Sequence, residues 1–295
     1  MDVKTNSGKA WLLALRPKTL AGAAVPVMAG CALAAADGYF KPLAALLCFL
    51  FAFLMQVDAN FINDLYDFLK GSDREDRLGP ERACARGWIT PSAMKRGIAC
   101  TTLLAACCGL GLLAYGGWEM IPVGAACILF AFLYTTGPYP LSYHGWGDVL
   151  VLVFFGFVPV GCTYYVMARG WTPGVIAASA ACGLVIDTLL MINNFRDREQ
   201  DAASGKRTLV VRFGARAGLI MYGLLGLLAC WCCLWFVWEG KVYAAILPQI
   251  YLLPHLFTTR RMAEIGRGRA LNAILGDTSR NILLFGMLLA LGLLL

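Results

Sequence analysis

Charge is scarce in this chain: Asp, Glu, Lys and Arg make up 15% of its 295 residues, against 59% hydrophobic. That balance excludes an ordinary soluble globular protein and a disordered one. Histidine is almost absent, and neither His144 nor His255 has a ligand or triad partner near it in sequence. Histidine-based metal or nucleophilic chemistry therefore has no visible seat. The twelve cysteines form no pair of zinc-type CxxC motifs, and all but Cys84 lie in or against apolar stretches. They read as small buried hydrophobes and exclude a disulfide framework. A convincing cleavage site is also missing behind the first apolar stretch, which is expected to remain in the mature protein.

What the chain has instead is long apolar runs, each near the roughly 20 residues that cross a hydrocarbon core. Nine spans are expected, near 19–36, 42–63, 96–115, 120–136, 148–168, 174–194, 216–237, 242–257 and 281–295. All but three of the lysines and arginines fall before the first span or after the second, sixth and eighth; the exceptions are Lys41, Arg169 and Lys241. The positive-inside rule then places the N-terminus and the long loops in the cytoplasm. The net charge of +7 needs no nucleic acid to explain it. The expectation is an all-α, multi-pass integral membrane protein, residues 1–295 forming a single domain.

Chemistry should lie in the long charged loops. The second span closes on Asn60, Asn63 and Asp64, and the sixth on Asn193, Asn194 and Asp197, a weak repeat that suggests two similar halves facing each other across a cavity. On a continued helix Asn60, Asp64 and Asp67 share one face, as do Asn193, Asp197 and Asp201. A single Asp here would read as a solvated helix end. Two clusters of matching form on one side of the membrane favour a magnesium site, since magnesium takes one or two carboxylates and completes its shell with water and substrate phosphates. Lys70, Arg82, Arg86, Lys206 and Arg207 add the cations that a diphosphate needs, although each also serves as a positive-inside anchor. Asp187 stands deep in an apolar run, where an acid costs about 2.5–3.5 kcal/mol on insertion scales, so it should face the cavity or a partner helix.

The motifs resemble those of the UbiA superfamily of membrane prenyltransferases, in its 1,4-dihydroxy-2-naphthoate polyprenyltransferase branch. The resemblance covers nearly the whole chain. It is carried by Arg16-Pro17-Lys18-Thr19, by Asn63-Asp64-Leu-Tyr-Asp67 with Lys70-Gly71-Ser-Asp73, and by Gly79-Pro80-Glu-Arg82-Ala. Further matches are Tyr134-Thr-Thr-Gly137-Pro138-Tyr139-Pro140-Leu141 with Gly145-Trp-Gly147-Asp148, and Asn193-Asn194-Phe-Arg196-Asp197 through Asp201 to Gly205-Lys206-Arg207-Thr208-Leu209. The superfamily's D-x-x-D-x-x-x-D pattern is broken at Gly71, which fits the naphthoate branch and leaves the next acids at Asp73 and Asp76.

The resemblance implies nine transmembrane helices around a central cavity, with cytoplasmic active-site loops and a lateral opening for an isoprenoid tail. It implies transfer from a polyprenyl diphosphate to 1,4-dihydroxy-2-naphthoate with loss of carboxylate and diphosphate, giving demethylmenaquinol in menaquinone biosynthesis at the cell inner membrane. Asp64, Asp67, Asp197 and Asp201 would be catalytic and hold Mg2+, with Asn60, Asn63 and Asn193 around them. Lys70, Arg82 and Lys206 would meet the diphosphate. Tyr139, Asp148 and Asp187 are candidates for the aromatic acceptor, with Arg16 or Lys18 for its carboxylate, while the turn around Tyr139 reads equally as a rigid loop. Another aromatic or lipid acceptor, or a secondary transporter, are the competing expectations.

Overall fold

The computed structural model describes residues 3–71 and 77–295, and among these every regular element is helical. Asp73 and Asp76 lie outside the described residues, and for Lys18 only the backbone is described.

The chain opens with α1 (Gly8–Leu15), capped by the Ser7 hydroxyl accepting from the Ala10 N–H. Arg16 takes a left-handed conformation ahead of Pro17, and a short 3-10 turn, Pro17–Thr19, leads into α2 (Leu20–Ala36) at a 57° bend. Then come α3 (Pro42–Leu69), α4 (Pro91–Gly116), α5 (Met120–Thr135), α6 (Gly147–Ala168), α7 (Pro173–Ala203) and α8 (Leu209–Val237). Three short pieces, Val242–Ile246, Leu247–Tyr251 and Leu252–Ile265, make up α9, and α10 is Leu271–Leu294.

The starts follow local chemistry. Thr90 and Thr172 each cap a helix with the hydroxyl, and each is followed by proline, whose missing N–H costs nothing at a first helical position. Thr208 caps α8 the same way. Within α6, Leu152–Gly161 winds as a π-helix that takes in Pro159, a local widening that accommodates the ring where an α-helix would be broken.

Six of these helices, α3, α4, α6, α7, α8 and α10, are long and apolar enough to cross a membrane, and the bent pair α1–α2 makes a seventh if it is one span. α5 is apolar but shorter at 16 residues, and α9 is broken. Large side chains exposed on the outer surface, such as Leu103, Trp231 and Leu253, are what a lipid-facing surface requires. The chain is a multi-pass membrane protein. The helices outrun their apolar stretches: α3 and α7 run on to Leu69 and Ala203, beyond 63 and 194, which is the continuation that the spacing of the acids requires.

α7 is the most enclosed of the long helices. The π-segment of α6 lies against it through glycine: a Cβ on Gly156 would fall 2.5 Å from the Ser179 carbonyl oxygen, and one on Gly183 would fall 2.8 Å from the Leu152 side chain. α10 packs on α2 in the same manner, Gly286 against Val25. Small residues at such crossings let backbones approach closely where water supplies no driving force. α4 packs along α3 and α8 along α7. A cavity of about 1290 Å³ is bordered by α2, α3, α4, α5, α6, α7 and α10.

Candidate active site

The cavity is polar at one end and apolar at the other. Its floor is made of side chains such as Phe51, Met55, Val123, Phe130 and Phe154. Its mouth lies between the polar ends of α3 and α7.

On α3 the two acids are used differently. Asp64 is buried, and its two carboxylate oxygens accept from the backbone N–H groups of Ala83, at 2.9 Å, and Cys84, at 2.8 Å. Arg16 stands 3.7 Å from the same carboxylate. Asp64 thus fastens the bend before α2 and the 82–84 turn onto α3. Asp67, three residues on, borders the cavity and pairs with Arg82 at 3.2 Å. Asn60 donates to the Leu15 carbonyl and the Thr19 hydroxyl, each at 3.1 Å. Asn63 accepts from the Thr135 hydroxyl at 2.9 Å, and the Lys70 ammonium donates to the Thr135 carbonyl at 2.5 Å, so the end of α3 is tied to the end of α5. The shared face that spacing alone suggested is therefore divided, with Asp64 turned to the packing side and Asp67 to the cavity.

On α7, Asp197 receives two parallel bonds from Arg196, at 2.7 and 2.6 Å, the fork geometry in which guanidinium and carboxylate match best. Arg196 is itself buried and donates to Asn272 of α10 at 2.9 Å, while Asn272 donates to the Leu78 carbonyl at 2.8 Å. A chain of polar contacts so links α7, α10 and the loop after α3. Asp201, one turn beyond Asp197, lies 3.5 Å from the Lys206 ammonium. Asn193 donates back to the Leu189 carbonyl at 2.8 Å.

Asp67, Asp197 and Asp201 border the cavity, and the cations Lys70, Arg82 and Lys206 border it with them. Asn60, Asn63 and Asn193 also line it. Asp64, Tyr139, Asp148 and Asp187 are not among its lining residues. Tyr139 is 54% exposed and stacks on His144, ring centroids 3.5 Å apart. Asp148 borders a small side pocket with Tyr134, Asn194 and Thr208. Asp148 and Asp187 each retain a buried Oδ1 without a hydrogen-bond partner, and buried acceptors of that kind are costly unless something donates to them.

Two features escaped the sequence. Tyr143, four residues after Tyr139, borders the cavity, as does Tyr134. Asp58 is a second acid buried within an apolar span, and it takes hydroxyl hydrogen bonds from Thr101 and Thr102 of α4. The paired threonines Thr101-Thr102 were the available signal for the second, though only packing shows that they oppose Asp58.

Among the described residues no three of His, Cys, Asp and Glu are gathered as a ready-made metal cage. The donor set nonetheless suits magnesium, a metal that completes its shell with water and phosphate oxygens: a few hard carboxylate oxygens at two helix ends that border one cavity. Asp67, Asp197 and Asp201 are the residues so placed.

Known proteins with this architecture give it a context. A structure titled as a UbiA homologue from Archaeoglobus fulgidus bound to GPP and Mg2+ superposes with a TM-score of 0.68 at 16% identity, covering 95% of this chain and 99% of that one. The apo structure of a UbiA homologue from Aeropyrum pernix gives 0.69 at 15% identity, covering 92% and 96%. In sequence, the 1,4-dihydroxy-2-naphthoate octaprenyltransferase of Escherichia coli is 42% identical over 212 residues, 70% of this chain and 69% of that one. The Haemophilus influenzae protein of the same name is 35% identical over 97% of this chain and 96% of its own. The model of the UbiA prenyltransferase family matches residues 23–275, a stretch that includes both acid clusters and Lys70, Arg82 and Lys206. The helical bundle, the split acids and this match have one explanation: the chain belongs to the UbiA prenyltransferase family.

Proposed function

We propose that this chain transfers a polyprenyl group from a polyprenyl diphosphate to 1,4-dihydroxy-2-naphthoate, with loss of carboxylate and diphosphate, giving demethylmenaquinol for menaquinone biosynthesis. The observation that carries this reading is the meeting of acids and cations from α3 and α7 at the mouth of a cavity whose floor is apolar. A diphosphate needs the first and an isoprenoid chain the second. Relatives named for this reaction, such as the one 42% identical, support the choice of acceptor.

Asp67, Asp197 and Asp201 would hold Mg2+ at the mouth. Bound there, magnesium supplies Lewis-acid stabilisation of the charge that develops on the leaving diphosphate. Lys70, Arg82 and Lys206 add fixed positive charge to the same oxygens, and being preorganised they cost no rearrangement at the moment of bond breaking. Arg196 holds the Asp197 carboxylate in one orientation from behind. Asp64 acts indirectly, by setting the turn that carries Arg82. Asn60 and Asn63 fix the end of α3 against its neighbours, and Asn193 adds an amide beside the metal position. The apolar floor shields the allylic cation from water until the aromatic ring captures it. Asp148 and Asp187, each with a buried oxygen lacking a donor, supply acceptors for the hydroxyls of the naphthol or for an ordered water, while Tyr139 covers the loop outside.

The proposed setting is the cell inner membrane, with nine crossings in one domain and the N-terminus and active-site loops in the cytoplasm. Reading those loops as cytoplasmic rests on the concentration of Lys and Arg in them.

The test is direct: purified protein in liposomes, given magnesium, an octaprenyl diphosphate and a panel of aromatic acids, with products identified by mass. A demethylmenaquinol product formed only with dihydroxynaphthoate, and abolished by EDTA and restored by added magnesium, is the expected result. Prenylation of another acid from the panel would reassign the acceptor, and no prenylated product from any acceptor would remove the enzymatic reading.

A further inference from the structure

Lys70 follows α3 and Lys206 follows α7, yet the two ammoniums lie over a single ring. The Nζ of Lys70 is 5.3 Å, and that of Lys206 5.2 Å, from the centroid of Tyr143. Both distances are within the roughly 6 Å over which an aromatic face attracts a cation. Each lysine is also tethered elsewhere, Lys70 to the Thr135 carbonyl and Lys206 to Asp201.

The ring is itself held in place by backbone. The Arg207 N–H donates to the Tyr143 carbonyl at 2.8 Å, and the Arg212 guanidinium donates to the His144 carbonyl at 2.8 Å. Gly145, at φ +82°, lets the chain turn here, and a Cβ on it would fall 2.7 Å from the Arg207 carbonyl oxygen. The segment after α5 is therefore stitched to the segment after α7, while Lys70 is stitched to the last turn of α5. Tyr143 stands where the two meet and borders the cavity.

We infer that Tyr143 is a positioning residue whose ring holds Lys70 and Lys206 together as a two-ammonium clamp for a diphosphate anion. Two lysine ammoniums brought together repel each other, and a lysine on its flexible stem is otherwise a mobile, strongly hydrated point charge. The negative face of the ring offsets the repulsion and restrains both stems before the anion arrives, which lowers the ordering cost of binding. The inference rests on the reading of this cavity as a prenyl diphosphate site, and its test uses a ligand that needs no acceptor.

That test measures binding of magnesium pyrophosphate by calorimetry to the full-length protein in detergent, for wild type, Tyr143→Phe and Tyr143→Leu. Steady-state kinetics with polyprenyl diphosphate follow. Removing two cation–π contacts should weaken pyrophosphate binding roughly tenfold in Tyr143→Leu, raise KM for the diphosphate substrate by a similar factor and change kcat much less. Tyr143→Phe keeps the ring and should stay within about twofold of wild type by the same reasoning. Adding Lys70→Met should cost less in the Tyr143→Leu background than in wild type, because the two share one interaction. If Tyr143→Leu does not fold, Tyr143→Met supplies a non-aromatic side chain of similar length.

Unchanged affinity in the non-aromatic variants would overturn the clamp, and so would equal damage in Tyr143→Phe, which would transfer the role to the hydroxyl. Wild-type protein that binds no pyrophosphate overturns it as well. If pyrophosphate binds with this pattern but no acceptor is ever prenylated, the clamp stands and the proposed reaction falls.

Discussion

The acids at the mouth divide by what their oxygens already touch. Asp67, Asp197 and Asp201 border the cavity beside cationic partners, whereas Asp64 spends both oxygens on backbone N–H groups. Substituting Asp67 or Asp201 by Asn should lower turnover by about 100-fold or more, as loss of a group stabilising transition-state charge does, with little change in the melting temperature. Asp64→Ala should do the reverse first. It strands two buried donors, each costing about 1–3 kcal/mol when unsatisfied, so the protein should melt earlier, with activity lost through displacement of Arg82. Melting curves and magnesium-dependent product formation on the same preparations separate the two. The sequence offered no basis for this division, since Asp64 and Asp67 look alike as acids one turn apart; the difference is made by the 82–84 turn folding back onto one of them. Tyr139 and Tyr143 present the same case, four residues apart in one loop, with Tyr139 exposed and stacked on His144 and Tyr143 at the cavity.

At the level of elements, the site depends on how closely α6 and α7 approach. Gly156 and Gly183 set that distance, and Asp148 and Asp187 are carried on the two helices they join. Gly156→Val should force the helices apart at a cost of about 1–3 kcal/mol, the usual range for overpacking, and should lower both thermal stability and affinity for the aromatic acceptor. A variant that kept wild-type melting and acceptor KM would show that the contact has slack. On the far side of the bundle from the mouth, Lys241 and the Tyr164 hydroxyl meet opposite oxygens of Asp37, at 2.7 and 2.8 Å. This clamp joins the end of α2 to α6 and the start of α9. Lys241 was one of only three cations outside the basic loops, and hydropathy gave no hint of its partner.

Over the whole molecule, the proposed orientation makes a prediction independent of chemistry. Trypsin added to inverted membrane vesicles should cut at Lys206 and Arg207, between α7 and α8, and at Arg267 and Arg269, between α9 and α10, and should leave these sites intact in right-side-out vesicles. Cleavage in the opposite preparation would invert the topology. The charge that carries this argument is a property of the loops as a set and does not depend on any single contact.

Composition and spacing were enough to establish a helical membrane protein with acids clustered at the ends of two helices and basic residues concentrated in a few loops. Those features are local: apolarity over some twenty residues, spacing along one helix, composition of one loop. It took the folded chain to show that Asp67 meets the cavity while Asp64 does not, that the ends of α3 and α7 border one cavity, and that one tyrosine ring lies within reach of a lysine following each of them. Such facts depend on segments distant in the chain meeting at one point, and burial and hydrogen-bond satisfaction there assign different work to residues of the same type.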